Sequence, residues 1–168
     1  MDASDDDLRR QLLELLPRLR RFARALARNT HDADDLVQVA LERALTRSAQ
    51  LHTGAPLAPW MFGIVRNAWT DELRSRGRRA RLFAPAEAGE QAVDASAGPH
   101  TEVLAVQEAL ARLPAEQRSA VALVLIEGLS YKEAAYIMDV PVGTLTSRLA
   151  RGREALQAML DETTGAQR

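Results

Sequence analysis

The chain has 168 residues, enough for one ordinary domain or two small ones, and 46% of them are apolar, so a core can be buried. It has no cysteine, which excludes a disulfide scaffold and a thiolate zinc site and agrees with a reducing cytoplasm. No apolar run reaches the roughly 20 residues of a membrane span, and the acidic start is not a signal peptide, so we expect no membrane insertion. The net charge of −1 conceals segregation, because an acidic head at Asp2–Asp7 precedes an arginine cluster at Arg66–Arg81.

Abundant Ala, Leu and Arg, without the alternation typical of strands, predict an all-α fold. Leucines recur at spacings of three and four over residues 8–28, which predicts a first helix that Pro17 kinks or divides. A second helix is predicted over residues 31–47. Pro59 suits the first turn of a third helix, which we expect to end near Gly77.

Residues 82–100 are predicted to be a flexible acidic linker, because Ala84–Pro99 is rich in Ala, Gly, Glu and Ser and lacks a periodic apolar face. The linker would separate a domain at residues 1–81 from a second at residues 101–168. In the second domain we predict a helix ending near Leu113, and then a helix between Pro114 and Gly128.

The strongest local pattern follows. Ser130 and Glu133 form a capping box for a short helix that continues through Met138. Asp139–Pro141 is a tight turn, and the last helix runs from about Val142 to Leu160. A capped short helix, a brief turn and a longer helix are the parts of a helix-turn-helix, although an ordinary helical hairpin with a solvated polar face has the same pattern.

The third helix is predicted to be buried on two sides, with Trp60 and Trp69 in the core and not available for stacking on bases. One polar stripe remains on it, formed by Gly63, Arg66, Asn67, Thr70 and Arg74. Arginines beyond the stripe extend its positive charge, and phosphate binding by such a cluster is sensitive to salt.

The segment LARLPAEQRSAVALVLIEGLSYKEAAYIMDVPVGTLTSRLARGREAL resembles region 4 of the extracytoplasmic-function (ECF) group of bacterial RNA polymerase sigma factors. In that family its helix-turn-helix reads the −35 promoter element. The resemblance implies −35 contacts from Thr144, Thr146, Ser147, Arg148 and Arg151. Thr146 departs from the family pattern, which has a basic residue there.

The segment DADDLVQVALERAL resembles sigma region 2.2, which docks on a coiled coil of core RNA polymerase. The implied contacts are Asp34, Asp35, Gln38, Val39 and Glu42. Val39 stands where the family has Glu. The alternative for these side chains is a merely solvated helix face.

The segment APWMFGIVRNAWTDELRSRGRR resembles sigma regions 2.3 and 2.4, which bind the −10 element. In the family the loop before this helix, here approximately Leu51–Leu57, captures a flipped base. The implied −10 contacts are His52, Thr53, Arg66, Asn67, Thr70, Arg74, Arg76, Arg78 and Arg79. The alternative for His52 is an exposed loop histidine without a ligand.

These resemblances imply a sigma factor that binds core RNA polymerase and promoter DNA in the cytoplasm. Two alternative functions remain open. One is a sigma-like mimic that sequesters an anti-sigma factor without binding a promoter. The other is a stand-alone helix-turn-helix regulator, which leaves residues 31–81 unexplained. We expect control by an anti-sigma factor, no enzymatic activity, no cofactor, no metal and no small-molecule substrate, since the three histidines lie far apart in sequence.

Overall fold

The computed structural model describes residues 3–52, 54–83 and 101–165, and within them it contains seven α-helices and no strand, which confirms the all-α prediction. The helices are α1 (Ala3–Leu26), α2 (Thr30–Thr46), α3 (Leu57–Leu82), α4 (Thr101–Arg112), α5 (Ala115–Val121), α6 (Tyr131–Met138) and α7 (Val142–Gly165). A 3₁₀ turn at Ser48–Gln50 follows α2, and a π-helical turn at Ala122–Ile126 extends α5. Most of the predicted linker, residues 84–100, lies outside the described residues.

Several helix ends differ from the predictions. Pro17 lies inside α1 and does not divide it, and α3 continues past Gly77 to Leu82. The first helix already ends at Leu26, because Asn29 begins the next one: its Oδ1 accepts a 2.7 Å hydrogen bond from the backbone N–H of Asp32.

The predicted capping box is confirmed. Ser130 Oγ accepts a hydrogen bond from the Glu133 backbone N–H at 3.2 Å, and the Ser130 backbone N–H donates to Glu133 Oε2 at 2.8 Å. Asp139 ends α6 in the left-handed conformation with φ 52°, and α7 begins three residues later. The short helix, the turn and the start of α7 therefore lie where the sequence predicts them, whereas α7 continues past the predicted end near Leu160 to Gly165.

The core of α1–α3 is built on aromatic and aliphatic contacts. Phe22 and Phe62 are fully buried and pack edge to face with ring centroids 5.1 Å apart. Trp69 is buried as predicted, whereas Trp60 is only partly buried. Leu45 on α2 and Leu73 on α3 lie outside this core and are exposed.

The helices on either side of residues 84–100 pack against each other. Helix α1 contacts α4, α5 and the π-helical turn, while α3 contacts α6. Buried residues of both groups, such as Leu19 and Leu123, belong to one continuous apolar cluster. The arrangement therefore brings the face of α3 and the helix-turn-helix together.

Candidate nucleic-acid and polymerase interfaces

The five residues of α2 for which we predict polymerase contact are all exposed on one surface. They are Asp34, Asp35, Gln38, Val39 and Glu42. The apolar residues Ala33, Leu36 and Val37 turn the other way and are buried. The α2 surface is accessible to a partner, and its binding role remains a prediction.

A groove of about 610 Å³, lined by charged and apolar side chains, runs between α2 and α3. Asp35, Val39 and Glu42 line one wall, and Glu72 and Arg78 line the other. The predicted −10 arginines therefore line two different grooves. Arg78 lines this one, beside the predicted polymerase-binding surface of α2, whereas Arg66 and Arg74 line the other.

Arg76 also faces this groove and is held by two carboxylates. Its Nη1 donates to Asp32 Oδ2 at 2.9 Å, its Nε donates to Glu72 Oε1 at 2.7 Å, and its guanidinium lies 5.5 Å from the centre of the Trp69 ring. The hydrogen bond from Arg76 lowers the pKa of Asp32 below its ordinary value. Arg76 thus joins α2 to α3, and a DNA contact from it would compete with these ion pairs.

Arg79 lies farther along α3, where its Nη2 is 3.4 Å from Ser75 Oγ and 3.6 Å from Glu72 Oε1. It remains exposed.

The polar stripe of α3 lines a different groove, of about 800 Å³. Arg66, Asn67, Thr70 and Arg74 form its α3 side together with Trp60. The opposite side consists of Tyr136, Ile137, Met138 and Asp139 from the end of α6, and of Glu116 from α5. The predicted −10 face is thus accessible but is partly covered by the helix-turn-helix.

Asn67 is the one exposed residue of α3 between Leu57 and Thr70. Thr70 donates its hydroxyl proton to the Arg66 carbonyl at 3.0 Å, so its oxygen can accept a further bond. His52 is exposed in the preceding loop, which fits both a base contact and the ligand-free alternative, and Thr53 lies outside the described residues.

On α7, Leu145 and Leu149 are buried, which leaves the predicted −35 face turned outward. Thr144 is half-buried, and Thr146, Ser147 and Arg151 are exposed. Thr146 and Ser147 donate their hydroxyl protons to the carbonyls of Val142 and Gly143, at 2.8 and 3.1 Å, so both side chains can approach DNA chiefly as acceptors.

Arg148 differs from its neighbours because Glu116 holds it. Arg148 Nη1 donates to Glu116 Oε2 at 2.6 Å, and Arg66 Nη2 donates to both oxygens of the same carboxylate at 3.2 Å. Glu116 lies in the first turn of α5, and no sequence pattern distinguishes it there. In the folded chain it joins two predicted DNA contacts.

A second ion-pair cluster joins the two groups of helices. The side chain of Glu127 is fully buried and accepts hydrogen bonds from Arg21 Nε at 2.9 Å and Arg18 Nε at 3.2 Å. Glu127 lies directly after the π-helical turn, which no sequence pattern had indicated. The turn places its carboxylate against α1.

Two features are absent from the part of the chain that the structure describes. No helix there combines the length and apolar character needed to cross a membrane. No group of three or more His, Cys, Asp or Glu side chains there is placed to hold a metal ion.

Comparison with known proteins identifies both groups of helices. Residues 104–156 match the family model described as Sigma-70, region 4, and residues 12–66 match the model described as the Sigma2 domain of PhyR. The two matches fall on the helix-turn-helix and on α1–α3, in the order that the sequence motifs predict.

Curated relatives match over most of the chain. The ECF RNA polymerase sigma factor EcfG of Rhodopseudomonas palustris is 38% identical over 155 residues, which cover 92% of this chain and 86% of the relative. The ECF RNA polymerase sigma factor SigM of Mycobacterium tuberculosis is 39% identical over 142 residues, which cover 84% and 71%.

Solved structures agree with these relatives. The sigma factor RpoE of Bartonella quintana, in complex with the anti-sigma factor NepR, matches with a TM-score of 0.77 and 32% identity, over 92% of this chain and 97% of that one. CnrH in complex with the cytosolic domain of CnrY matches with a TM-score of 0.68 and 27% identity, over 91% and 86%. This chain therefore belongs to the ECF RNA polymerase sigma factors, which are not enzymes and which direct RNA polymerase to specific promoters.

Proposed function

We propose that this sigma factor acts in the cytoplasm, binds core RNA polymerase through α2, and contacts the −10 element through the polar stripe of α3 and the −35 element through α7. The observation that best supports this is the exposure of Asn67 on a stretch of α3 that is otherwise buried or half-buried. A polar side chain presented by a rigid, core-packed helix is well placed to contact a base. Arg66 and Arg74 beside it supply phosphate contacts.

Reconstitution with core RNA polymerase tests this function directly. Purified protein is added to core enzyme on fragmented genomic DNA, and the 5′ ends of the transcripts are sequenced. We expect starts that share two upstream sequence elements and that are absent without the protein. Random starts, or none despite tight binding to core enzyme, would contradict the proposal.

The α2 contact is tested by reversing charge on the exposed surface. The double variant Asp35→Lys, Gln38→Ala should bind core polymerase more weakly in a pull-down while keeping its helicity, because both side chains are exposed and make no contact with the core. Glu162→Lys is the matched control, since it reverses an exposed charge on α7. Equal binding of both variants to core polymerase would show that this surface of α2 is not the polymerase contact.

We also propose that an anti-sigma factor binds a groove of about 770 Å³ between α1 and α4. Val103 and Val106 are 56% and 40% exposed on its α4 side, and Arg20 and Arg24 flank them from α1. Apolar side chains beside a basic edge suit an amphipathic helix with an acidic flank. The related Bartonella quintana sigma factor was solved with such a regulator bound, NepR, which supports a partner of this kind here.

A change at the groove separates this contact from polymerase binding. Val106→Asp should weaken binding of a NepR-type protein by tenfold or more, because it places a charge on the apolar side and repels an acidic partner. Binding to core polymerase should be unchanged. Val142→Asp, another exposed valine outside the groove, is the control. Equal affinity of the parent chain and Val106→Asp for the NepR-type protein would refute the groove assignment.

The mimic hypothesis predicts a different result in the same assays. The observation in its favour is that residues 12–66 match the Sigma2 domain of PhyR. A mimic would bind the NepR-type protein but give no specific transcript starts with core polymerase. A sigma factor under anti-sigma control should give starts that the NepR-type protein suppresses.

A further inference from the structure

We infer that Glu116 is an autoinhibitory latch. In the arrangement of this structure, in which α3 packs against α6 and which we call closed, Glu116 keeps Arg66 and Arg148 from binding DNA. This inference rests on the proposed DNA contacts of those two arginines. Their guanidinium groups both lie within 3.2 Å of the Glu116 carboxylate. Their side chains are only 12% and 28% exposed. One acidic residue thus engages a proposed −10 contact and a proposed −35 contact at once.

The Glu116 carboxylate resembles a DNA phosphate in the chemistry it offers. Both groups are anionic and present two oxygens to the donors of an arginine. Arg66 approaches both oxygens from α3, and Arg148 approaches one of them from α7. Either arginine must leave Glu116 before it can bind a phosphate or a base with the same donors.

The closed arrangement cannot contact both promoter elements together. By their names, the −10 and −35 elements lie about 25 base pairs apart, roughly 85 Å along the duplex at about 3.4 Å per base pair. Two guanidinium groups held by one carboxylate cannot span that distance. Binding a whole promoter therefore requires α3 and α7 to separate, and the latch opposes this separation.

Two features of the ion pairs at Glu116 favour their dissociation. Glu116 is 45% exposed, so water and salt compete for its carboxylate. Arg66 Nε is buried and has no hydrogen-bond partner within the described structure. An arginine that is left incompletely satisfied gains a partner when it leaves the closed interface for DNA.

The test is the affinity of the free protein for a random-sequence DNA duplex, measured by fluorescence anisotropy over a range of salt. Glu116→Gln removes the latch charge and leaves the two guanidinium groups facing each other. We expect tighter binding than for the parent chain. We also expect the slope of log affinity against log salt to steepen by about two, because two arginines become available to phosphates.

Two controls separate release of the latch from a general loss of negative charge. Glu154→Gln removes an exposed charge on α7 and should change the affinity and the salt slope much less. In the background Arg66→Ala, Arg148→Ala, the change Glu116→Gln should bring no more gain than Glu154→Gln does. Equal gains for Glu116→Gln and Glu154→Gln in the intact chain, or a full gain without the two arginines, would overturn the latch.

Closure itself is measured independently of any promoter. The chain has no cysteine, so cysteines introduced at the exposed positions Ala49 and Ala158 can carry a fluorophore pair. Glu116→Gln should shift the energy-transfer distribution to longer distances; an unchanged distribution would refute the latch. Glu116→Asp, which withdraws the carboxylate by one methylene, replaces Glu116→Gln if that variant loses helicity. Failure of transcription with core polymerase would count against the proposed function, whereas these two measurements test the latch alone.

Discussion

Arg118 Nη1 donates a 2.7 Å hydrogen bond to the carbonyl oxygen of Leu26, 92 residues earlier in the chain. Its Nη2 donates to the carbonyls of Ala111 and Leu113, both at 2.8 Å. A single buried guanidinium thus satisfies carbonyls at the ends of α1 and α4, which would otherwise lack donors. Burial lowers the pKa of Arg118, and these carbonyls compensate for the loss of water around its charge.

Arg118→Met should lower the free energy of unfolding by about 3 kcal/mol, because it leaves buried carbonyl groups without a donor while keeping a side chain of similar length. Urea denaturation followed by circular dichroism measures the change. Arg112→Met, at an exposed position nearby, should change the stability by no more than about 0.5 kcal/mol. Equal stabilities of the two variants would show that the carbonyls find other partners.

Gly152→Ala should destabilise the protein, because α7 approaches α5 closely at this glycine. A Cβ atom there would lie 2.8 Å from Val121 Cγ2 and 3.3 Å from the Gln117 carbonyl oxygen. We expect a loss of about 1–3 kcal/mol from overpacking. Gly143→Ala on the same helix meets no atom within 4 Å and should be neutral or slightly stabilising.

A compensating change makes the Gly152 prediction specific. Val121→Ala removes the methyl group that the new Cβ would meet, so it should cost less stability in the Gly152→Ala background than in the parent chain. Thermal unfolding of the four chains of this cycle measures the coupling. Additive effects would show that the clash is relieved elsewhere.

The pairing of Asp32 with Arg76 should make stability depend on acid pH. The folded-state pKa of Asp32 is lowered, first by the hydrogen bond from Arg76, so its contribution is present above the unfolded pKa of about 3.9 and is lost as the pH falls through the lower folded value. Asp32→Asn should be less stable than the parent near neutral pH, and the difference should shrink below about pH 4.

The control for Asp32 lies on the same helix. Asp34→Asn removes an exposed carboxylate that the structure shows in no ion pair, so its stability should follow that of the parent at every pH. Chemical denaturation at a series of pH values measures both variants. A difference for Asp32→Asn that does not change with pH would mean that the ion pair contributes nothing to stability.

Arg148 and Arg151 should both contribute to binding of the −35 element, either through a base or through a phosphate. Both alanine variants should reduce transcription from promoters with an intact −35 element. A base-specific arginine contributes roughly 1–3 kcal/mol of discrimination, whereas a phosphate-bound one acts equally on all sequences. A panel of −35 point mutants separates these roles. Full activity of both variants on every template would show that this face of α7 does not contact the −35 element.

Local patterns predicted much of the fold correctly, because they depend on short-range chemistry. The capping box at Ser130, the short helix that it begins and the turn at Asp139–Pro141 lie where the sequence predicts them. The burial of Trp69 followed from helical periodicity in the same way.

Contacts distant in sequence were not predictable. Glu116 and Arg118 look like ordinary surface charges in the first turns of a helix, and Glu127 simply ends an apolar run. Nothing near them in the sequence indicates their partners on α1 or α3. Their roles depend on tertiary packing and, for Glu127, on a π-helical turn that lacks a sequence pattern. The same packing pairs Arg76 with Asp32 and Glu72, which the family resemblance, implying a −10 contact for Arg76, did not indicate.

Asn67→Ala should leave polymerase binding and the fold intact but impair promoter opening. The side chain is exposed on the α3 stripe and is not part of the core. Its amide offers both a donor and an acceptor, so it can bind the edge of an unstacked base, as a lysine cannot. Arg74→Ala should instead weaken engagement of duplex DNA and reduce its salt dependence, because it removes a phosphate contact.

Permanganate footprinting of the −10 region measures the opening, on a promoter identified by transcript mapping. Unstacking a base costs a few kcal/mol, and a template with a pre-opened bubble has already met that cost. The bubble should therefore restore transcription to Asn67→Ala, whereas Arg74→Ala should keep a defect that grows with salt. Normal opening of duplex promoter by Asn67→Ala would show that Asn67 is only a solvated residue of α3, and the −10 contact would then have to come from the other residues of the stripe or from the preceding loop.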